Sequence, residues 1–246
     1  MFKLDETNYV HRAWDSKMFG YLVADILLPT HLAALRDILT SLRFARYRLA
    51  YFMCPANDQD QNTAAIEAGG FLADVRCVLA MDPQLTIRSN AATTPQSYTI
   101  ATAHRLSPDL VRLALASGTH SRFRTDTHFE KQVYVDMYTE WIRLSIAGEN
   151  GQVVWTVRSG SKHVGLITYE PTHNGNGKIG LLAVDTKYRR MGIAQSLLNT
   201  VLAYQLSRGT GIITVTTQRQ NTSAIQLYLK YGFQIDQETN VYHFWL

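Results

Sequence analysis

The sequence is poor in cysteine, has no run of basic residues and no long apolar stretch, and each absence removes a class of function. Cys54 and Cys77 are its only cysteines, each among apolar neighbours (YFMCP, VRCVLAM), without the paired spacing of a metal site; buried free thiols are expected. The eight histidines include no H-x-x-x-H pair, so no metal is expected. Lys and Arg exceed Asp and Glu by 24 to 20, but the excess is spread thinly, which argues against a nucleic-acid partner while mildly favouring an anionic ligand. No stretch approaches the ~18 apolar residues of a membrane span. The first ten residues (MFKLDETNYV) lack the apolar core of a signal peptide, so a cytoplasmic protein with no membrane partner is expected.

What is present suits a folded enzyme: 46% hydrophobic and 18% charged residues over 246 positions, enough for one large or two smaller domains. Between residues 82 and 96 (DPQLTIRSNAATTPQ), Pro, Ser, Thr and Asn replace the apolar periodicity on either side. The expected organisation is an N-terminal region 1–82, a linker 83–96 and a domain 97–246.

Within that domain, Ser107-Pro108 reads as an N-cap and first-turn proline before a helix with Leu110, Val111, Leu113 and Ala114 on its apolar face. A second helix is expected over 129–146, where Phe129, Val133, Met137, Trp141 and Leu144 suggest a core stripe. Apolar runs at 153–157, 163–169 and 178–184, separated by SGS and PTHNGNG, predict an antiparallel meander. The period then turns helical through Ile193, Leu197, Leu198, Val201 and Leu202, followed by a strand at 212–217, a helix at 221–231 and two strands at 233–237 and 241–246. The class is α/β with a mixed, partly antiparallel sheet. The apolar end VYHFWL reads equally as an edge pairing with a second copy, in a homodimer, or as a strand completing the sheet internally.

The N-terminal region repeats the ending in weaker form. NTAAIEAGGF at Asn62 compares with NTSAIQLYLKYGF at Asn221, and alignment on Gly-Phe sets Ile66 opposite Tyr228.

The chemistry-bearing stretch is Arg189-Arg190-Met191-Gly192-Ile193-Ala194, an R-x-x-G-x-A loop between the strand ending Leu182-Ala183-Val184 and a helix. A helix N-terminus offers unpaired N–H groups and the positive end of a dipole, which suit a diphosphate. Gly192 and the small Ala194 let the backbone come close to phosphate oxygens.

Strand, loop, helix, strand and an Asn-initiated helix ending Tyr-Gly-Phe together resemble the acetyl-CoA site of the GNAT acetyltransferase superfamily, over residues 179–233 and more loosely back to 97. The resemblance implies a GNAT fold preceded by a smaller, degenerate GNAT-like region, with acetyl-CoA as cosubstrate and an amine as acceptor. It places the pantetheine arm along Leu182, Ala183 and Val184, in the gap where that strand splays from its neighbour at a bulge, and the pyrophosphate at Arg189, Arg190, Met191, Gly192, Ile193 and Ala194. Asn221 would hydrogen-bond the cofactor, and the Tyr228 hydroxyl would serve the thiolate leaving the acetyl group. Ile66 cannot do so, nor does an R-x-x-G loop precede it.

A more specific likeness is to N-acetyltransferases of nucleotide-linked amino sugars of the dTDP-4-amino-4,6-dideoxyhexose type. It rests on Ser121-Arg122-Phe123-Arg124, Tyr138, Trp141, Trp14, Phe19-Gly20 and IGLLAV. Arg122 and Arg124 could meet a diphosphate and Phe123 a base or sugar face. The YRRMG loop is longer and more basic than in such enzymes, which leaves a peptide, protein or polyamine acceptor as the alternative. A non-catalytic acyl-CoA-binding module is the alternative from another class. Glu170, Asp185, His120, His128 and Glu130 are unranked candidates for a base, and neither cysteine has a visible activating partner for an acyl-enzyme.

Overall fold

A computed structural model of the protein describes residues 8–27, 31–86, 98–209 and 211–246. In chain order these form β1 (Tyr9–His11), α1 (Ala13–Phe19), β2 (Val23–Ile26), α2 (Leu32–Phe44), β3 (Leu49–Pro55), α3 (Gln59–Glu67), β4 (Phe71–Met81) and α4 (Pro83–Thr86). There follow β5 (Thr99–Thr102), α5 (Pro108–Ser117), α6 (Arg122–Thr125), α7 (Lys131–Ala147), β6 (Val153–Ser159), β7 (Lys162–Pro171) and β8 (Gly177–Val184). The chain ends with α8 (Ile193–Arg208), β9 (Ile213–Gln218), α9 (Thr222–Tyr231) and β10 (Gln234–Trp245). Mixed sheet and flanking helices are the expected α/β class.

Packing divides the chain into two compact units, one of residues 1–77, 218–220 and 237–246 and one of 78–217 and 221–236. This division falls inside β4 and β10 rather than in the expected linker. Of that linker, residues 83–86 are helical, and 87–96 lie outside the described residues.

In the first unit the strand order is β1-β2-β3-β10, with β2 parallel to β3 and β10 antiparallel to it. The spacing of Leu35, Ile38, Leu39 and Leu42 puts them on one face of α2, where they pack with Ala24, Ile26, Ala50 and Phe52. Each such buried Leu, Ile or Phe side chain stabilises the unit by about 1.5–3 kcal/mol. Both thiols are free and buried; burial and nearby Asp58 push Cys54 up to about 11, the wrong direction for a nucleophilic thiolate.

In the second unit the order is β9-β8-β7-β6-β5, antiparallel from β5 to β8 and parallel between β8 and β9. The expected meander is present. Ser107 caps α5 by accepting from Leu110 N–H at 3.4 Å, with Pro108 in the first turn.

Two expectations are corrected. The core face of α7 is Tyr134, Met137, Tyr138, Ile142 and Ser145, whereas Trp141 is 37% exposed. A strict four-residue repeat advances about 400° per step and so drifts around the helix by about 40° each time. The stripe through Phe129, Val133, Met137 and Trp141 therefore leaves the core. The second correction concerns the chain end, which is a single strand rather than two. Glu238, Thr239 and Asn240, which separate the two expected strands, are half-buried and continue one strand, paired to β3 from Thr239↔Pro55 to Trp245↔Leu49. On that edge VYHFWL completes the sheet internally.

Candidate active site

The site grows from an irregularity in β8. Ile167 pairs with Leu182 and Tyr169 with Ile179, so Gly180 and Leu181 together oppose Thr168, the two-for-one count of a β-bulge. The Thr168 hydroxyl accepts from Leu181 N–H at 2.8 Å and supplies the bond that the broken ladder lacks. Beyond the bulge, β8 loses β9: their pairing runs only from Gly177↔Ile213 to Ile179↔Val215. Leu182, Ala183 and Val184 keep β7 on one side, and their other backbone edge is left without β9. An extended amide-bearing chain can hydrogen-bond to such an edge as an added strand.

The loop that follows is held in shape locally. Asp185 accepts from Lys187 N–H at 3.0 Å and from Arg112 Nη1 at 2.7 Å; the backbone bond, then the guanidinium, hold its carboxyl below the usual range. Arg189 Nε donates to Val184 C=O at 3.1 Å. Arg190 and Gly192 have φ of 62° and 78°, so the chain twice enters the left-handed region before α8 begins. Gly192 offers no side chain to cap α8, leaving the first-turn N–H groups to the cleft. That cleft, of about 310 Å³, is lined by Val184, Tyr188, Arg189, Arg190, Gly192, Ile193, Ala194 and Gln195 from the loop side, and by Leu227, Lys230 and Tyr231 from α9. Three cations and a helix N-terminus facing one cleft suit a diphosphate.

The other expected residues have mixed placements. Met191 is exposed and accepts from the Tyr98 hydroxyl at 3.3 Å, outside the cleft lining. Asn221 is the N-cap of α9, accepting from Ala224 N–H at 3.4 Å and donating to Thr217 Oγ1 at 3.2 Å. Tyr228 is buried against Phe233, 5.4 Å between ring centroids, and burial raises its phenol above the usual range. Among the described residues its hydroxyl has no hydrogen-bond partner.

Arg122, Phe123 and Arg124 form the short helix α6, not a loop, because Ser121 accepts from Phe123 N–H and starts a turn. Their side chains turn to their own surroundings: Arg122 lies over Phe123 at 4.5 Å, Phe123 packs edge-on to Phe129, and Arg124 lies over Tyr134 at 5.6 Å. Of the candidate bases, His128 is held by the buried Asp126 at 2.8 Å and Glu170 accepts from Gln152 at 3.1 Å. Among the described residues no group of His, Cys, Asp and Glu could hold a metal, and no helix is long and apolar enough to cross a membrane.

Sequence reasoning missed Arg112, Lys230, Tyr231 and Thr168. Leu227, Lys230 and Tyr231 share a helix face by their i, i+3, i+4 spacing, a signal that was readable. Arg112 is 73 positions from Asp185 and carried no local signal.

Residues 117–233 match the acetyltransferase (GNAT) family. The dTDP-fucosamine acetyltransferase of Escherichia coli O6:H1 is 23% identical over 91% of this chain and 92% of its own length. Spore coat polysaccharide biosynthesis protein SpsD of Bacillus subtilis is 26% identical over 55% of this chain, a match spanning 46% of SpsD. The fold is shared with a tandem GNAT protein from the clavulanic acid biosynthesis pathway, with TM-score 0.61 at 12% identity, covering 90% of this chain and 74% of that one. The bulged strand and the uncapped helix N-terminus both lie within residues 117–233, the segment that marks an acetyltransferase (GNAT) domain in this chain.

Proposed function

We propose that the protein transfers acetyl from acetyl-CoA directly to the amino group of a nucleotide-linked amino sugar of the dTDP-4-amino-4,6-dideoxyhexose type. The observation that carries the acceptor is the match to dTDP-fucosamine acetyltransferase through 91% of the chain, which takes in both units. The polysaccharide context of SpsD agrees with it.

The cleft at α8 fits the donor. Arg189, Arg190 and Lys230 with the first-turn N–H groups of α8 bind the pyrophosphate, and the free edge of Leu182–Val184 binds the pantetheine amides. Asn221, with its oxygen already engaged by the helix, adds its amide to the same ligand. The donor supplies an activated acyl group on sulfur. The amine nitrogen bonds to the acetyl carbon, the C–S bond breaks, the amine proton passes to water, and the departing thiolate receives a hydrogen bond from Tyr228. Because burial raises that phenol, full proton transfer to sulfur is uphill; the hydroxyl stays protonated and stabilises the thiolate by donating to it. No acyl-enzyme forms, in keeping with the raised Cys54 and Cys77 thiols.

Acetyl-CoA consumption measured against dTDP-amino sugars, peptides and polyamines tests the reading. Turnover of a dTDP-4-amino-4,6-dideoxyhexose well above the rest is expected; preference for a peptide or polyamine, or a trapped acetylated protein, overturns it.

A further inference from the structure

The two faces of β7 and β8 at the bulge are covered differently. On one side lies α8: a Cβ added to Gly165 would meet Ile193 at 2.8 Å and Leu197 at 3.4 Å, and the Tyr169 hydroxyl donates to Gln205. On the other side lies α7, whose Trp141 meets the bulge. A Cβ at Gly180 would stand 2.7 Å from Thr168 Oγ1, 3.6 Å from Trp141 Cζ2 and 3.7 Å from Trp141 Nε1. Glycine at this position leaves the space in front of the indole open.

Trp141 is supported rather than buried. Tyr138 backs it at 5.7 Å with 36° between the planes, Tyr134 backs Tyr138 at 4.9 Å, and Tyr138 in turn fills the space of the missing side chain at Gly118. Tyr134 and Tyr138 are buried, whereas Trp141 remains 37% exposed. Among the described residues its indole N–H has no hydrogen-bond partner. A rigid aromatic with one open side and a spare donor is a recognition surface rather than core filling.

The geometry points to Trp141 as the platform on which the pyranose ring of the acceptor lies, with the bulge at Gly180 in front of it. This inference rests on the amino-sugar reading and deepens it. The diphosphate cleft begins at α8, on one face of the sheet, and the free edge of β8 leads from that cleft back toward the bulge. An acceptor reaching the end of that path from the opposite face meets α7 and Trp141. The part of the acceptor nearest the reacting carbon is the ring bearing the amine, so the ring, not the nucleotide, adjoins the indole. The flat C–H face of a pyranose suits an aromatic face, and a ring hydroxyl suits the indole N–H.

The test compares wild type, Trp141→Ala and Trp141→Phe with three probes: dTDP-4-amino-4,6-dideoxygalactose, free glucosamine and the acyclic amine cadaverine. For Trp141→Ala, KM for the cyclic acceptors should rise about tenfold with acetyl-CoA KM shifted less than twofold. The ratio of cyclic to acyclic kcat/KM should fall by a similar factor. Trp141→Phe keeps the platform without the N–H and should fall between. An unaltered ratio, an equal loss with all three amines, or no acetylation of either cyclic amine by wild type overturns the inference. Turnover of glucosamine with this Trp141 dependence, but none of the dTDP sugar, would support the platform while refuting the nucleotide acceptor. Turnover of the dTDP sugar indifferent to Trp141 would do the reverse.

Discussion

The helices α2 and α8 begin in opposite ways, and the contrast bears on the proposal that the second unit holds the cosubstrate. At α2 the His31 ring accepts from Ala34 N–H at 3.1 Å, so the helix caps itself. At α8 the corresponding duty falls to Gly192, in the left-handed region and without a side chain. The clefts beside them differ in charge as well. The one at α2, about 350 Å³, is lined by Asp60 and Glu67; the one at α8 is lined by Arg189, Arg190 and Lys230. Similar helix-beside-cleft architecture is therefore lined by carboxylates in one unit and by cations, which suit a diphosphate, in the other. The second helices diverge too. Ile66, opposite Tyr228 in the sequence alignment, is 62% exposed, whereas Tyr228 is 4% exposed.

The contrast at the helix starts breaks most sharply at Gly192. Gly192→Val puts a β-branched side chain at φ 78° and into the proposed phosphate cradle, and is expected to weaken acetyl-CoA binding more than about a hundredfold by calorimetry. His31→Ala should leave that affinity within twofold and cost about 1 kcal/mol of stability. Equal affinity losses would show that the α8 start is not the donor site.

Next in size is Tyr228→Phe. Loss of a hydrogen bond to a charged leaving group, about 2 kcal/mol, predicts a kcat lower by roughly 30-fold with acetyl-CoA affinity nearly unchanged. An unaltered kcat removes Tyr228 from the chemistry.

How far the sequence revealed this depends on how local each feature is. The meander, the cap at Ser107 and the R-x-x-G-x-A junction were legible because periodicity, capping and glycine placement act within a few residues. The bulge was not legible in the local residues and came only with the GNAT resemblance, since Gly180 and Leu181 owe it to pairing with Thr168 on another strand. Nor was the paired Arg112–Asp185 clamp, which joins positions far apart. Trp141 misled because an i+4 stripe and a true helix face differ only in slow rotation. The Asn-Thr likeness hid a third case. Asn221 caps α9, but Asn62 lies inside α3, which Asp58 caps at Gln61 N–H.

Asn62 instead ties the first unit together, and this gives the next comparison. Its oxygen accepts from Asn240 Nδ2 at 2.6 Å and the Tyr242 hydroxyl at 2.8 Å, and its amide donates to Pro55 C=O at 3.0 Å and Asp58 C=O at 2.6 Å. Asn62→Ala strands several of these groups and should cost about 2–3 kcal/mol in urea unfolding. Asn221→Ala loses chiefly a cap, about 1 kcal/mol. The reverse order would mean that the two asparagines share a role after all.

The smallest effect is a slope. Burial raises the phenols of Tyr169, to about 12, and of Tyr228 and Tyr231, so all three lose protons later in the folded protein than in the unfolded chain, where a phenol titrates near 10. Below about pH 10 both states hold these protons, and the associated stability is fully present. As pH rises from there, the unfolded chain releases protons first, so unfolding becomes easier with each step. Urea unfolding midpoints should therefore fall between pH 10 and 11, and less steeply in Tyr228→Phe than in wild type. Exposed Ile66 contributes no such proton, so Ile66→Phe at the aligned position of the first unit should leave the slope as it is. Identical slopes for wild type and Tyr228→Phe would mean that the Tyr228 hydroxyl reaches water, and with it the argument that it remains a protonated donor at the sulfur would fail.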